Sequence, residues 1–246
     1  MVSSAAAPWI ASRASKSARG AGPKAAPLAY YISVLGMPGF TGWYGLTKIG
    51  EPKAGETVYV SAASGAVGQV VGQVAKLKGA KVVGSAGSDE KCAYAVESCG
   101  YDSCFNYHTS DNFTTTLREH CPDGIDIYFE NVGGAMLDAV LASLNQFSRI
   151  ALCGLISQYN LTKPEGIHNI AGLLINKVKL QGFIISDHYD IYPEFVQEVG
   201  GWLKSGKMTY RLSVADGIDA APGAFIGMLK GENFGKQIVR LGPDPA

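Results

Sequence analysis

From Thr57 onward the chain alternates short β-branched runs with stretches of helical period, and that alternation restricts its fold more than any other feature. Strands separated by crossover helices pair in parallel and must be covered on both faces. The pattern therefore predicts an α/β fold with a doubly wound parallel sheet of the Rossmann kind. Strands are expected over residues 57–61, 81–84, 103–106, 125–130, 149–153 and 179–185, with a last one over 236–241. Val67, Val70, Val71, Val74 and Leu77 recur at helical spacing before Gly79 ends the first helix. Ser88 is expected as the N-cap of the second, with Asp89 and Glu90 suited to its positive end and a finish near residue 99. Further helices are expected over 111–120, 136–144, 193–204 and 220–230.

Composition narrows the partners. With 246 residues and 47% hydrophobic content the chain can bury a sizeable core. Lys plus Arg and Asp plus Glu both number 21, so no basic field exists to gather nucleic acid or anionic lipid, and a small-molecule partner is expected. No apolar run approaches the roughly 18 residues of a membrane span. Cys92, Cys99, Cys104, Cys121 and Cys153 are scattered and form no C-x-x-C pair, which suits a reduced intracellular protein and predicts no zinc site. Residues 1–27 are rich in Ala, Ser, Gly and Pro, and the first acidic residue of the chain is Glu51. Two readings of that leader stay open: a tail on a cytoplasmic protein, or an organellar transit peptide.

The segment 61–68, Ser-Ala-Ala-Ser-Gly-Ala-Val-Gly, falls where the first strand turns into the first helix. A dinucleotide needs small residues there, because its pyrophosphate approaches backbone amides and sits on the helix N-terminus. Gly65 and Gly68 match the last two glycines of G-x-G-x-x-G, and Ala63 replaces the first. About 20 residues further on, an NAD site places an acid against the adenosine ribose. Here residues 84–88 read Gly-Ser-Ala-Gly-Ser, and Lys91 opens the next helix. With no carboxylate to repel a 2′-phosphate and a cation close by, NADP(H) is favoured over NAD(H). The four histidines have no ligand-like spacing and no G-x-S-x-G elbow occurs, so hydrolase and metal-enzyme readings have nothing to stand on.

With those residues in view, the sequence resembles the zinc-independent alkenal/prostaglandin reductases of the medium-chain dehydrogenase/reductase superfamily. The likeness runs over about residues 34–241 and is carried by Gly36-Met37-Pro38-Gly39, the 61–68 loop, the Gly87 to Lys91 turn, Glu130-Asn131-Val132-Gly133-Gly134, the 153–160 segment and Asn233-Phe234-Gly235-Lys236. It implies NADP(H) as cofactor, with Gly65, Ala66, Val67 and Gly68 at the pyrophosphate and Ser88, Lys91 and Tyr107 toward the 2′-phosphate end. Asn131 would lie beside the cofactor, and Cys153, Gly154, Ser157, Tyr159, Phe183, Ile184, Ile185 and Asn233 would surround its nicotinamide half. Tyr159 is the candidate catalytic residue, as a positioning group or a support for proton transfer. The implied reaction is hydride transfer from NADPH to the β-carbon of an α,β-unsaturated aldehyde or ketone, with protonation of the α-carbon. Quinone reduction is the alternative within the enzyme class, and alcohol dehydrogenation is disfavoured because the zinc ligands it needs are not visible.

In the resembled family a barrel-like domain precedes the Gly36 to Gly39 segment. The expected organisation is accordingly a leader over 1–33, a nucleotide-binding domain over 34–206, and a C-terminal remnant of the barrel-like domain over 207–246. That remnant should present an apolar surface, with Met208, Leu212, Val214, Phe225 and Val239 as candidates, favouring homodimerisation or another association. Two further readings follow from the same gap: a fragment that binds nucleotide or a partner without catalysis, and an incomplete gene product.

Overall fold

The structure is a computed structural model that describes residues 26–163 and 165–242; the expectations for the leader fall largely outside them. Six parallel strands form the main sheet: β1 (Thr57–Val60), β2 (Lys81–Ala86), β3 (Ser103–Asn106), β4 (Ile125–Glu130), β5 (Leu144–Leu152) and β6 (Lys179–Gly182). Their spatial order is β3-β2-β1-β4-β5-β6, so the winding reverses between β1 and β4 and opens a crevice beyond their C-terminal ends. The doubly wound parallel sheet expected from the alternation is present. Each β-branched run is short because both faces are covered. Val58, Val60, Val82, Ile127, Phe129 and Ala151 pack into one core layer, and Tyr59, Val83, Tyr128 and Ile150 into the other.

The first layer is closed by α1 (Met37–Tyr44), α2 (Gly68–Leu77) and α7 (Tyr192–Lys204); the second by α4 (Phe113–His120) and α5 (Gly134–Leu141). Two further helices, α3 (Asp89–Glu97) and α6 (Ala171–Ile175), complete the crossovers. Around fully buried Phe40, the rings of Trp43, Tyr44, Tyr189, Tyr192 and Phe195 stand 5.2 to 6.3 Å away between centroids. That aromatic cluster joins α1 to α7 and fixes the segment preceding β1 on the sheet. Within the same layer Tyr101 lies in a slot cleared by two glycines. A Cβ on Gly72 or Gly84 would stand 1.9 or 2.7 Å from its ring.

Several boundaries differ from expectation, each for a local reason. The helix expected over 111–120 starts at Phe113, because Asn112 caps it by accepting from the Thr115 amide at 3.0 Å. The helix expected from Met136 starts at Gly134 and ends at Leu141, leaving Leu144 to open a longer β5. The strand expected to run to Ile185 stops at Gly182. Phe183 turns inward to pack on Tyr44, and Ile185 starts a 3-10 turn, Ile185–Ile191, with its side chain in the core. No strand was expected over β7 (Leu212–Asp216), which pairs in parallel with β8 (Lys236–Arg240), the two being linked by α8 (Ala221–Leu229).

The β7-β8 pair is stitched to α2. Gln69 and Gln73 are buried, and each reads both backbone groups of one residue: Gln69 accepts from the Arg211 amide at 2.9 Å and donates to its carbonyl at 3.2 Å. Gln73 does the same for Thr209, at 2.7 and 2.9 Å. Of the apolar residues expected on an exposed C-terminal surface, Val214 and Phe225 are exposed and Leu212 and Val239 half-buried. Met208 is buried, a correction to that expectation, since it packs into the first core layer beside α7. Among the described residues no helix is long and apolar enough to cross a membrane.

Candidate active site

Two clefts open at the C-terminal edge of the main sheet. The larger, about 620 Å³, runs from the 62–65 bend past the end of β2 to the start of α5. The bend is rigid before any ligand arrives: the Ala63 amide donates to the Ser85 carbonyl at 2.9 Å, and the Gly65 amide to Ala62 at 2.9 Å. Ala62 itself holds a left-handed φ of 54°. A parallel bridge joins Gly65 to Gly235, and Tyr210 donates to the Ala66 carbonyl at 3.1 Å. At the start of α2 the Gln69, Val70 and Val71 amides are already bonded, to the carbonyls of Gly65 at 3.2 Å and Val67 at 3.0 and 3.1 Å, so an anion would meet the backbone of the bend ahead of them.

At the end of β2 the cleft wall is Ser85, Ala86 and Gly87. No carboxylate stands there. Asp89, the nearest in sequence, is engaged by the Asn106 side chain at 2.9 Å. Ser88 caps α3 by accepting from the Lys91 amide at 3.2 Å, so its hydroxyl sets where the lysine starts. Lys91 lines the cleft and its ammonium donates to the Gly231 carbonyl at 2.5 Å. Burial depresses its pKa, with Glu90 pulling the other way. Tyr107 lies across from it, and a Cβ on Gly87 would stand 2.9 Å from the phenol oxygen.

The second cleft, about 570 Å³, lies at the ends of β5 and β6 and holds Cys153, Gly154, Tyr159, Phe183 and Ile184, with Asp187 and His188 at its rim. Tyr159 is 63% exposed, and its oxygen accepts from the Leu155 amide at 3.0 Å, which leaves the phenol proton free to be donated. His188 stacks on Tyr44 with centroids 4.1 Å apart. The sequence candidates thus divide. Gly65, Lys91, Tyr107, Ser157 and Asn233 line the larger cleft; Cys153, Gly154, Tyr159, Phe183 and Ile184 line the smaller. Ala66, Val67, Gly68, Ser88, Asn131 and Ile185 line neither cleft. Asn131 sits between the two, its side-chain amide donating to the Ser61 carbonyl at 2.8 Å.

Sequence reasoning missed a whole wall of the larger cleft: Met228, Leu229, Lys230 and Gly231 arrive from the last residues of α8 and the turn after it, and Glu165 from the loop after β5. No spacing signal marks them, because only tertiary packing brings them to the bend.

Cys153 carries a chemical consequence. Burial, with the neighbouring Glu130 carboxyl adding to it, pushes the thiol up to about 12. At neutral pH roughly one part in 100,000 is then thiolate, so a sulfur facing an electrophile stays unreactive. Maleimide labelling of the native protein at pH 7.5, read by peptide mass mapping, is expected to leave Cys153 unmodified while denatured protein labels fully. Rapid native labelling would contradict a half-buried thiol that keeps its proton.

The family profile described as zinc-binding dehydrogenase matches residues 66–200. The chain belongs to that family. Within it, the likeness is to alkenal and prostaglandin reductases of the medium-chain dehydrogenase/reductase type. The chain is 50% identical over 218 residues to the 2-alkenal reductase (NADP(+)-dependent) of Nicotiana tabacum, covering 89% of this chain and 64% of the relative. To prostaglandin reductase 1 of Sus scrofa it is 45% identical over 220 residues, covering 89% and 67%. The solved structure of CurA in complex with NADPH from Vibrio vulnificus superposes with a TM-score of 0.83 at 50% identity, covering 87% of this chain and 65% of that one. This zinc-binding dehydrogenase family member therefore spans just under two thirds of the tobacco enzyme's length. Among its described residues no group of three or more His, Cys, Asp or Glu is gathered closely enough to hold a metal ion.

Proposed function

We propose that the chain is an NADPH-dependent reductase of the carbon–carbon double bond of α,β-unsaturated aldehydes or ketones. The observation that carries this reading is the carboxylate-free end of β2, faced by Lys91 and Tyr107 across the cleft that begins at the Gly65 bend. The residues present fit a phosphorylated dinucleotide. Small side chains let the pyrophosphate approach the backbone of the bend, and where an NAD site would carry an acid the end of β2 carries none and Lys91 stands close by. The relatives named for NADP(+)-dependent alkenal reduction and NADPH binding support the same choice.

When bound, the dinucleotide supplies a hydride to the substrate's β-carbon. The chain's own groups orient and complete the reaction. The smaller cleft gives an enal a largely apolar floor, with Phe183 and Ile184 on one side and Cys153 on the other. Tyr159 holds a proton at its phenol oxygen, which the Leu155 amide polarises, and would offer it to the charge that develops on the substrate carbonyl. The neutral Cys153 thiol keeps an electrophilic substrate from being trapped beside the site.

Isothermal titration of the folded chain is expected to give NADPH at least tenfold tighter binding than NADH, about 1.4 kcal/mol, with Lys91→Ala closing that gap. An assay on short 2-alkenals, run beside a quinone, then separates double-bond reduction from quinone reduction and from binding without turnover. A folded chain that ignores NADPH, or prefers NADH, overturns the reading.

A further inference from the structure

Glu130 is the last residue of β4 and is wholly buried, yet it lies at the junction of the two clefts. Leaving a carboxyl there is costly unless its bonds compensate, and the bonds it makes all lead to segments that line a cleft. Its backbone carbonyl accepts from the amides of Cys153 and Gly154, at 2.9 and 3.1 Å. Its Oε1 accepts from the Ser61 hydroxyl at 3.2 Å and from the Val132 amide at 2.5 Å. Ser61 passes the hold onward: its Oγ accepts from the Asn131 amide at 3.0 Å, and its carbonyl from the Asn131 side chain at 2.8 Å. Asn131 and Val132 in turn accept, through their carbonyls, from the Ile156 and Ser157 amides at 3.1 and 3.0 Å.

Three chain segments, at 61, 130–133 and 153–157, thus meet at Glu130: its carboxylate holds Ser61 and Val132, and its backbone carbonyl holds Cys153 and Gly154. Its other oxygen, Oε2, is buried without a hydrogen-bond partner, as is the hydroxyl of Tyr128 two residues earlier on the same face. Burial pushes the Glu130 carboxyl up, and the Val132 amide and the Ser61 hydroxyl offset that only in part. A hydrophobic side chain would fill this space without such a desolvation cost, but it would leave the Val132 amide without its acceptor and the Ser61 hydroxyl with only the Phe129 carbonyl at 3.4 Å.

We propose that Glu130 is a positioning residue for the nicotinamide side of the site, its buried carboxylate setting Ser61 and Val132 directly and, through them, Asn131 and the 156–157 segment. The inference rests on the NADPH reading above. It does not extend to the adenosine end, which is built from the end of β2, Lys91 and Tyr107 and makes no bond to Glu130.

That asymmetry supplies the test. NADPH and adenosine 2′,5′-bisphosphate, the fragment carrying only the adenosine end with its 2′-phosphate, are titrated into the full chain and into Glu130→Gln and Glu130→Leu. Glutamine keeps an acceptor oxygen and should bind both ligands within about threefold of the parent, less than 1 kcal/mol. Leucine should weaken NADPH at least tenfold while leaving the bisphosphate unchanged. Should Glu130→Leu fail to fold, Ser61→Ala breaks the same chain of bonds without emptying the core, and the same split is expected. Equal loss of both ligands would mark general loosening, and unchanged NADPH binding would mark no role; either overturns the proposal, as does a glutamine variant as weak as leucine. If the parent binds the bisphosphate but not NADPH, or neither, the cofactor reading itself fails, which the parent titration reveals before any variant is compared.

Discussion

Gly68→Ala is expected to weaken NADPH binding roughly a hundredfold, about 2.7 kcal/mol. A Cβ at this position would stand 2.3 Å from the Ala62 carbonyl oxygen and 2.7 Å from that of Ala63. Both are backbone atoms of the bend, so neither can swing aside as a flexible side chain would. Relief requires α2 to move away from β1, and Tyr101 opposes that movement because its hydroxyl donates to the Gly68 carbonyl at 2.8 Å. Overpacking of this kind costs about 3 kcal/mol of stability. Gly201→Ala in α7 is the matched control. A Cβ there meets nothing within 4 Å, so the change should leave binding alone and stabilise by about 0.5–1 kcal/mol through helix propensity. Thermal melting and NADPH titration of both variants check the pair. Wild-type affinity in Gly68→Ala would mean that the pyrophosphate does not sit on this bend.

Arg149→Met should be among the most destabilising changes away from the clefts, on the order of 2–3 kcal/mol. The guanidinium bonds both Glu56 carboxylate oxygens, at 2.9 and 2.7 Å, and also the carbonyls of Gly50 and Glu51 at 2.9 and 3.0 Å. It therefore clamps β5 to the turn preceding β1, where Glu51 holds a left-handed φ of 48°. Burial alone would raise the Glu56 pKa, but the Arg149 bonds and the Lys53 amide outweigh it and hold the carboxyl below its ordinary value. A carboxyl depressed on folding contributes stability above its unfolded pKa and loses it as pH falls through the folded one. The gap in melting temperature between parent and Arg149→Met should accordingly be widest near neutral pH and shrink through the acid carboxylate range. A gap that stays constant down to strongly acid pH would assign the cost to packing alone.

What could be read from the sequence, and what could not, follows the range of the interactions involved. The runs forming β1 and β4 were legible because burial on both faces demands consecutive β-branched and aromatic residues, as in Thr57–Val60. The bend, Ser88 and Lys91 were legible for a similar reason, since a strand end and the following helix start are fixed by a few adjacent residues. β7 was not. Its residues alternate between exposed and half-buried, and its pairing depends on β8, more than twenty residues later. α1 was hidden by its composition, with Pro38, Gly39 and Gly42 in one short helix, and is held by the Phe40 aromatic cluster and not by helix propensity. Met208 was misjudged because its burial depends on α7, which no local pattern connects to it.

The two glutamines that grip residues 209 and 211, together with the bridge from Gly65 to Gly235, have a consequence for biosynthesis. A nascent chain can assemble its central strands while the ribosome is still adding residues, since domains tend to fold from the N-terminus as they emerge. The 62–65 bend, translated well before Gly235, stays without that outer support until Gly235 has left the exit tunnel. Competence to take up a dinucleotide should therefore switch on late and abruptly during translation, and stalled chains ending before Gly235 should lack it.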